Sequence, residues 1–319
     1  MFILQACSET STNKLSDDEE DTSGGEIPLA ILCDPDAVVS SFSPVTALAV
    51  TVAADYGSGA HALISGDNKG QFVSLNDLDA TDSDITIAIY GEHFYRIGRQ
   101  FAGNSITKYA IANPGALIWQ RSVNDPMSAV ASNPADMIFV SETKAYVLQY
   151  NKTKAWIVNP SAATEAGFKI GEIDLSAYGG IDGIPEMHGG VIVDNKLFIT
   201  LERLEGASKQ PDNVSYLAVI DVTTDLEIDV GIDGDAFKGI PLQARNPTQI
   251  LYDETSNQIY VLGSGSTLPP LKYVGGIETI DATNYVSNFI LDDGDDEEHP
   301  YGIIYQMALV TSDLLYFVG

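Results

Sequence analysis

A repeat runs through this chain, and a repeat with a period of about 50 residues restricts the possible folds more than any single motif does. Asn133-Pro134-Ala135-Asp136-Met137-Ile138 and Asn246-Pro247-Thr248-Gln249-Ile250-Leu251 share one pattern. His299-Pro300-Tyr301-Gly302-Ile303-Ile304 and Ile184-Pro185-Glu186-Met187-His188 read as further copies. The prolines at 134, 185, 247 and 300 lie 51, 62 and 53 residues apart. A short apolar run follows each copy, at 144–148, 196–200, 258–262 and 314–318. Val219-Ile220-Asp221-Val222-Thr223 and Thr279-Ile280-Asp281-Ala282-Thr283 supply a third run, with 156–160 a weaker version. Residues 168–175, 226–232 and 285–291 supply a fourth.

These runs are too short for helices, are rich in β-branched and aromatic residues, and are separated by Asn, Asp, Gly and Pro turn chemistry. Four such strands per repeat make the blade of a β-propeller, so the expected fold is all-β, built of four-stranded blades. In the turn after the third strand, Asp221 is placed to cap its own chain reversal. Earlier blades are degenerate: 85–90, 93–98, 106–112 and 116–121 form one, and 45–53, 60–65 and 71–75 begin another. The count is five blades and a sixth that stops after its second strand at Gly319. An incomplete ring, cut short at the C-terminal end, is therefore expected over residues 40–319, because a closed ring leaves no such open edge.

Ahead of the repeats, Leu4-Gln5-Ala6-Cys7 follows a short apolar run. It resembles the lipobox of bacterial lipoproteins, which implies that residues 1–7 are the remnant of a signal and that Cys7 carries lipid. Gln5 departs from the small residue usual at its place. Residues 8–39 open with SETSTNKLSDDEEDTSGGEI, a polar, acidic stretch with almost nothing to bury, and read as a disordered tether. Ser8, after Cys7, is not the Asp associated with inner-membrane retention, which points to the outer membrane or cell surface of a Gram-negative bacterium. Cys33 remains open between a small buried hydrophobe, a partner outside the chain and a disulfide to Cys7.

Lys+Arg number 16 against Asp+Glu 45, a net charge of -29, which repels phosphate backbones and excludes nucleic acid as a partner. The expected partners are a membrane, through the lipid anchor, and an extracellular polymer, protein or ion.

The Pro-x-x-Ile/Met opening, the Leu-Tyr-Val second strand and the Val-Ile-Asp-x-Thr third strand resemble the YncE-like bacterial β-propellers, which overlap surface-layer and lactonase-like propellers. The resemblance covers roughly residues 40–319 and implies a fold rather than a chemistry. It makes a non-enzymatic, surface-tethered binding or envelope protein the first expectation. A lactonase-like hydrolase, with Glu186, His188 and Arg245 at the channel mouth, is the second.

First strands of a propeller line its channel, so Asn133, Asp136, His188, Asn246, Gln249 and His299 are candidates for one channel mouth, for a ligand or for holding neighbouring blades. Two acidic loops are candidates for calcium: Asp229, Asp233 and Asp235, and Asp292, Asp293 and Asp295. Neither has the EF-hand spacing. Glu202 and Arg203 read as a surface ion pair, and Tyr178 and Tyr301 as exposed rings able to stack on sugars. Nucleophile-elbow, zincin and phosphate-loop motifs do not occur in the sequence.

Overall fold

The computed structural model describes residues 4–5, 45–66, 72–231, 236–295 and 297–319. Cys7, Cys33, the tether, Asp233 and Asp235 lie outside them. The strands form six antiparallel sheets, each from consecutive chain. Sheet I holds β1 (Leu4–Gln5), β2 (Val45–Val52), β3 (Gly59–Gly66) and β4 (Phe72–Thr81). Sheet II holds β5 (Ile85–Tyr90), β6 (His93–Gly98), β7 (Ser105–Ala110) and β8 (Asn113–Ser122), and sheet III β9 (Pro134–Ser141), β10 (Lys144–Gln149), β11 (Lys154–Val158) and β12 (Lys169–Asp174). Sheet IV holds β13 (Met187–Val193), β14 (Lys196–Leu201) and β15 (Tyr216–Asp221), with its outer strand split into β16 (Leu226–Glu227) and β17 (Ile240–Pro241). Sheet V holds β18 (Pro247–Asp253), β19 (Gln258–Gly263), β20 (Gly276–Asp281) and β21 (Ser287–Asp292). Sheet VI has two strands, β22 (Gln306–Thr311) and β23 (Leu314–Val318).

The second strands read as unbroken apolar runs because both of their faces are buried. In β10, Tyr146 and Leu148 pack toward sheet IV, while Ala145 and Val147 pack toward sheet II. In β14, Leu197, Ile199 and Leu201 face sheet III, while Phe198 faces sheet V. Five core clusters result, one between each consecutive pair of sheets from I to VI. Among the described residues no cluster joins sheet VI to sheet I. Burial of each large apolar side chain contributes roughly 1.5–3 kcal/mol.

Turn chemistry repeats with the strands. Asp221 Oδ1 accepts the Thr223 and Thr224 amides at 2.7 and 3.1 Å, and Asp281 Oδ1 accepts those of Thr283 and Asn284, both at 2.9 Å. The two edges of the sheets differ. One carries the turns between first and second strands, such as Asp194-Asn195 and Ser312-Asp313, and those between third and fourth strands, such as 222–225 and 159–168. The other carries the long connections 99–104, 123–133, 202–215, 264–275 and 293–305, and is called the loop edge below.

The structure moves two of the four repeat copies. A backbone hydrogen bond marks the start of each first strand: Arg99 N–H to Asp84 O (2.8 Å), Tyr150 to Asn133 (3.0 Å), Glu202 to Glu186 (3.1 Å) and Ser264 to Asn246 (2.9 Å). Glu186, not Ile184, therefore corresponds to the repeat position of Asn133 and Asn246, and all three are left-handed, with φ of 49°, 48° and 57°. His299 does not share that position. Its strand begins at Gln306, so His299-Pro300 lies in the preceding connection. A proline pattern alone cannot see that the connection into sheet VI is longer.

Candidate functional site

Equivalent positions at the loop-edge end of the second strands place Arg99, Tyr150, Glu202 and Ser264 side by side in sheets II to V. Two of them, Tyr150 and Glu202, form with His188 a polar centre on the loop edge. The Glu202 carboxylate is 2% exposed. One oxygen accepts the Tyr150 hydroxyl and the other contacts Nδ1 of His188, whose side chain is 26% exposed. The Tyr150 and His188 rings meet edge to face, with centroids 6.1 Å apart. Burial, and then the Glu202 charge, push the Tyr150 hydroxyl well above its ordinary value, while Arg99 acts in the opposite sense. Arg99 Nε lies 3.8 Å from Asp84.

Asp136 and Glu186 flank this centre. Asp136 accepts the Met137 amide (2.7 Å) and, across the sheet boundary, the Gly190 amide (3.2 Å). Burial pushes its carboxyl up to about 6. Glu186 is fully buried, accepting Lys209 Nζ (2.7 Å) and the Leu204 amide (3.1 Å). Burial pushes it up to about 7, against the pull of the Lys209 ammonium. A left-handed glutamate where sheets III and V have asparagine is a costly choice for the backbone.

Among the remaining candidates from the sequence, Asn133 and Gln249 join neighbouring sheets, while Asn246 holds the connection within its own sheet. Asn133 Oδ1 accepts the Gln100 amide of sheet II at 3.2 Å, and Asn246 Nδ2 donates to Gly265 O at 2.8 Å. Gln249 donates to Met307 O (2.9 Å) and accepts Met307 N–H (2.8 Å), clasping the first strand of sheet VI. His299 stacks on Tyr273, with centroids 3.8 Å apart.

Arg245 does not reach Glu186 or His188. Its charged neighbours are Glu278 and Arg203, and burial lowers its proton affinity. The Glu186, His188 and Arg245 trio expected of a lactonase-like site is therefore not assembled. Glu202 and Arg203 are not a surface pair: both are buried, and Arg203 donates to Tyr178 O and Val214 O, each at 2.8 Å. Their strand-end position hid this, because the connection 202–215 folds back over them. Tyr178 is likewise buried, donating to Glu227 and accepting the Gly239 amide (2.7 Å). Tyr301 is exposed.

The acidic loops make turns. Asp229 Oδ1 accepts the Gly231 amide (3.4 Å), Asp292 Oδ1 that of Gly294 (3.0 Å), and Asp295 Oδ1 those of Glu297 and Glu298 (both 2.8 Å). Asp293 is buried, turned to the Gly275 amide (3.1 Å) and pushed up to about 6 by that burial. Among the described residues no three Asp, Glu, His or Cys side chains converge as calcium ligands would. Tyr150 and Glu202 were not marked by any sequence motif. Their only signal was recurrence at one offset beyond the second strand.

No protein-family model matches the chain, and no curated protein does. Solved structures do. A streptogramin B lyase is 12% identical, with a TM-score of 0.51 over 84% of this chain and 74% of that one. A virginiamycin B lyase from Staphylococcus aureus is 14% identical, with a TM-score of 0.50 over 84% and 76%. An extracellular domain from B. thetaiotaomicron is 13% identical, with a TM-score of 0.51 over 84% of this chain and 33% of that one. At these identities the likeness is one of architecture, and with the six antiparallel sheets it makes the chain a β-propeller.

Proposed function

We propose that this chain is a binding propeller of the bacterial cell envelope, tethered through lipid on Cys7, with its ligand site on the loop edge around His188. The observation that carries the reading is the double use of Glu202. Its buried carboxylate holds both Tyr150 and His188 Nδ1, which fixes the imidazole and turns Nε2, unpaired among the described residues, toward a partly open surface. The other carboxylates nearby are already engaged by backbone amides or Lys209, which favours recognition over chemistry. A net charge of -29 selects neutral or cationic ligands, such as an uncharged extracellular polymer. An extracellular domain among the proteins of similar fold supports the location.

The same His188–Glu202 pair favours a second reading, a lactonase-like hydrolase, because a carboxylate on Nδ1 leaves Nε2 ready to act as a general base. Histidine-labelled protein, titrated with neutral polysaccharides and with lactones while the His188 ring resonances are followed, separates the two. Saturable shifts of the His188 resonances with a polysaccharide are expected in the wild type, with calorimetric affinity for the same polysaccharide lost in His188→Ala. Lactone turnover lost in the same variant would replace binding by catalysis. For the anchor, radiolabelled palmitate should enter the wild type and not Cys7→Ser, and equal incorporation in both would remove it.

A further inference from the structure

The loop edge also carries a cation that finds no hydrogen-bond partner for its side chain among the described residues. Arg99 follows β6 at the position that Tyr150 and Glu202 take after the second strands of sheets III and IV. Along this row each side chain acts on the next sheet. Tyr150 donates to Glu202, and the Arg99 charge is felt in turn at the Tyr150 hydroxyl. Tyr150 thus stands between Arg99 and His188, whose ring it meets edge to face. At the place of His188, two residues beyond the marker position, sheets II, III and V have Thr86, Ala135 and Thr248. Small side chains therefore flank the imidazole on both sides.

A free guanidinium is unexpected in a chain with 45 acidic residues to 16 basic ones. The three buried guanidinium groups are engaged: Arg96 donates to Asp79, Arg121 to Ala162 O, and Arg203 to Tyr178 O and Val214 O. Arg99 is different. Its Nε lies 3.8 Å from Asp84, beyond hydrogen-bond reach, and Asp84 turns its other oxygen to the Phe101 amide (3.2 Å). Nε is enclosed, whereas Nη1 and Nη2 are not, and the side chain is 29% exposed. Those two nitrogens offer a planar fork of N–H groups that matches the two oxygens of a carboxylate.

The rest of the chain restricts what the anion is part of. A net charge of -29 repels a polyanion at long range, and Asp84, Glu186 and Glu202 occupy strand ends on this same edge. One negative group on an otherwise neutral molecule meets the least repulsion. A phosphate group, with up to about two charges near neutrality, meets more than a carboxylate does. The neutral remainder must supply hydroxyl groups to the His188 imidazole. A saccharide with one uronic acid unit satisfies both demands.

On the reading that His188 takes the neutral part of a ligand, we propose that this ligand is a saccharide with a single uronic acid unit, whose carboxylate pairs with Nη1 and Nη2 of Arg99. The probes are methyl β-D-glucuronide and methyl β-D-glucoside, which differ only in carrying a carboxylate or a hydroxymethyl group. Inorganic phosphate is the anion comparator. Each is titrated into the full chain at low salt, by calorimetry and by following the His188 ring and Arg99 side-chain resonances. The glucuronide should bind about tenfold more tightly than the glucoside and shift both residues.

Arg99→Gln should abolish the preference for the glucuronide while leaving glucoside affinity within about twofold of wild type. Asp84→Asn keeps an acceptor for the Phe101 amide and removes the competing charge, so it should strengthen the glucuronide about threefold. The opposite signs keep the test decisive if one variant misfolds. Equal affinity for the two saccharides, or a preference that survives Arg99→Gln, would overturn the proposal. Phosphate binding more tightly than the glucuronide would make Arg99 a general anion site and overturn it too. His188 shifts of equal size with both saccharides would leave the His188 site standing and remove only the carboxylate. Glucuronide shifts at Arg99 with none at His188 would overturn the His188 reading, and with it a ligand that joins the two residues.

Discussion

The Tyr150 hydroxyl donates to the Glu202 carboxylate across the boundary between sheets III and IV, and the two residues occupy the same repeat position in their sheets. One turn of the repeat thus hands its side chain to the next. The contact ties the packing of two sheets to the orientation of His188, and its removal has a calculable effect. Tyr150→Phe keeps the ring and removes the donor, leaving a buried carboxylate oxygen unpaired. The expected loss is about 1–3 kcal/mol, read as a lower urea midpoint with an unchanged slope.

Gln249 and Met307 make the reciprocal amide clasp between sheets V and VI. Gln249→Leu fills similar space but leaves both the N–H and the C=O of Met307 without a side-chain partner. A loss of about 1–3 kcal/mol is expected. Amide hydrogen exchange should locate it, with Met307 and the neighbouring residues of β22 losing protection before sheets II to IV do.

His61 is buried between sheets I and II, with Nε2 2.7 Å from Pro114 O, Nδ1 3.4 Å from Arg96, and the Phe94 and Tyr109 rings beside it. Burial lowers its pKa to about 4 from 6.5. Between those values the unfolded chain binds the proton that the native state refuses, so this group makes stability rise with pH by up to about 1.4 kcal/mol per unit. The contribution is complete above 6.5 and lost as pH falls toward 4. Urea midpoints of His61→Gln compared with wild type should therefore converge on acidification and separate toward neutrality.

Asp136 and Glu186 act with the opposite sign. Their carboxyls are raised to about 6 and about 7 from ordinary values of 3.8 and 4.5, chiefly by burial. The native state holds their protons longer than the unfolded chain does, so their contribution to stability declines as pH rises through 3.8–6 and 4.5–7. Asp136→Asn keeps the acceptor for Gly190 and removes the charge. Its stability relative to wild type should grow between pH 4 and pH 6 and level off above. A flat difference across that range, measured by urea denaturation, would show that Asp136 titrates normally.

Much of the fold was legible before the structure because it repeats. The runs at 144–148, 196–200 and 258–262 each fall within a second strand, and 219–221 and 279–281 within a third. Burial on both faces demands apolar residues at every position of a second strand, and such runs stand out without any partner being known. The site was less legible. His188, Asp136 and Glu186 drew attention as polar residues near first strands, but their roles were not separable. Glu202 looked like half of a surface pair, since nothing in Leu201-Glu202-Arg203-Leu204 states that the following connection covers it.

The strand pattern, the turn at Asp221, the acidic charge balance and the propeller architecture were determined by the sequence alone, because each rests on neighbours within a few residues or on a repeated demand for burial. Tertiary structure decided the rest. It showed that Glu186 and not Ile184 stands where Asn133 and Asn246 stand. It brought Tyr150, His188 and Glu202 together, and it clasped Gln249 to Met307 of the next sheet. These relations join residues from different sheets, or depend on how a long connection folds back. A carboxylate's chemistry follows from what surrounds it, and that environment exists only once the sheets have packed.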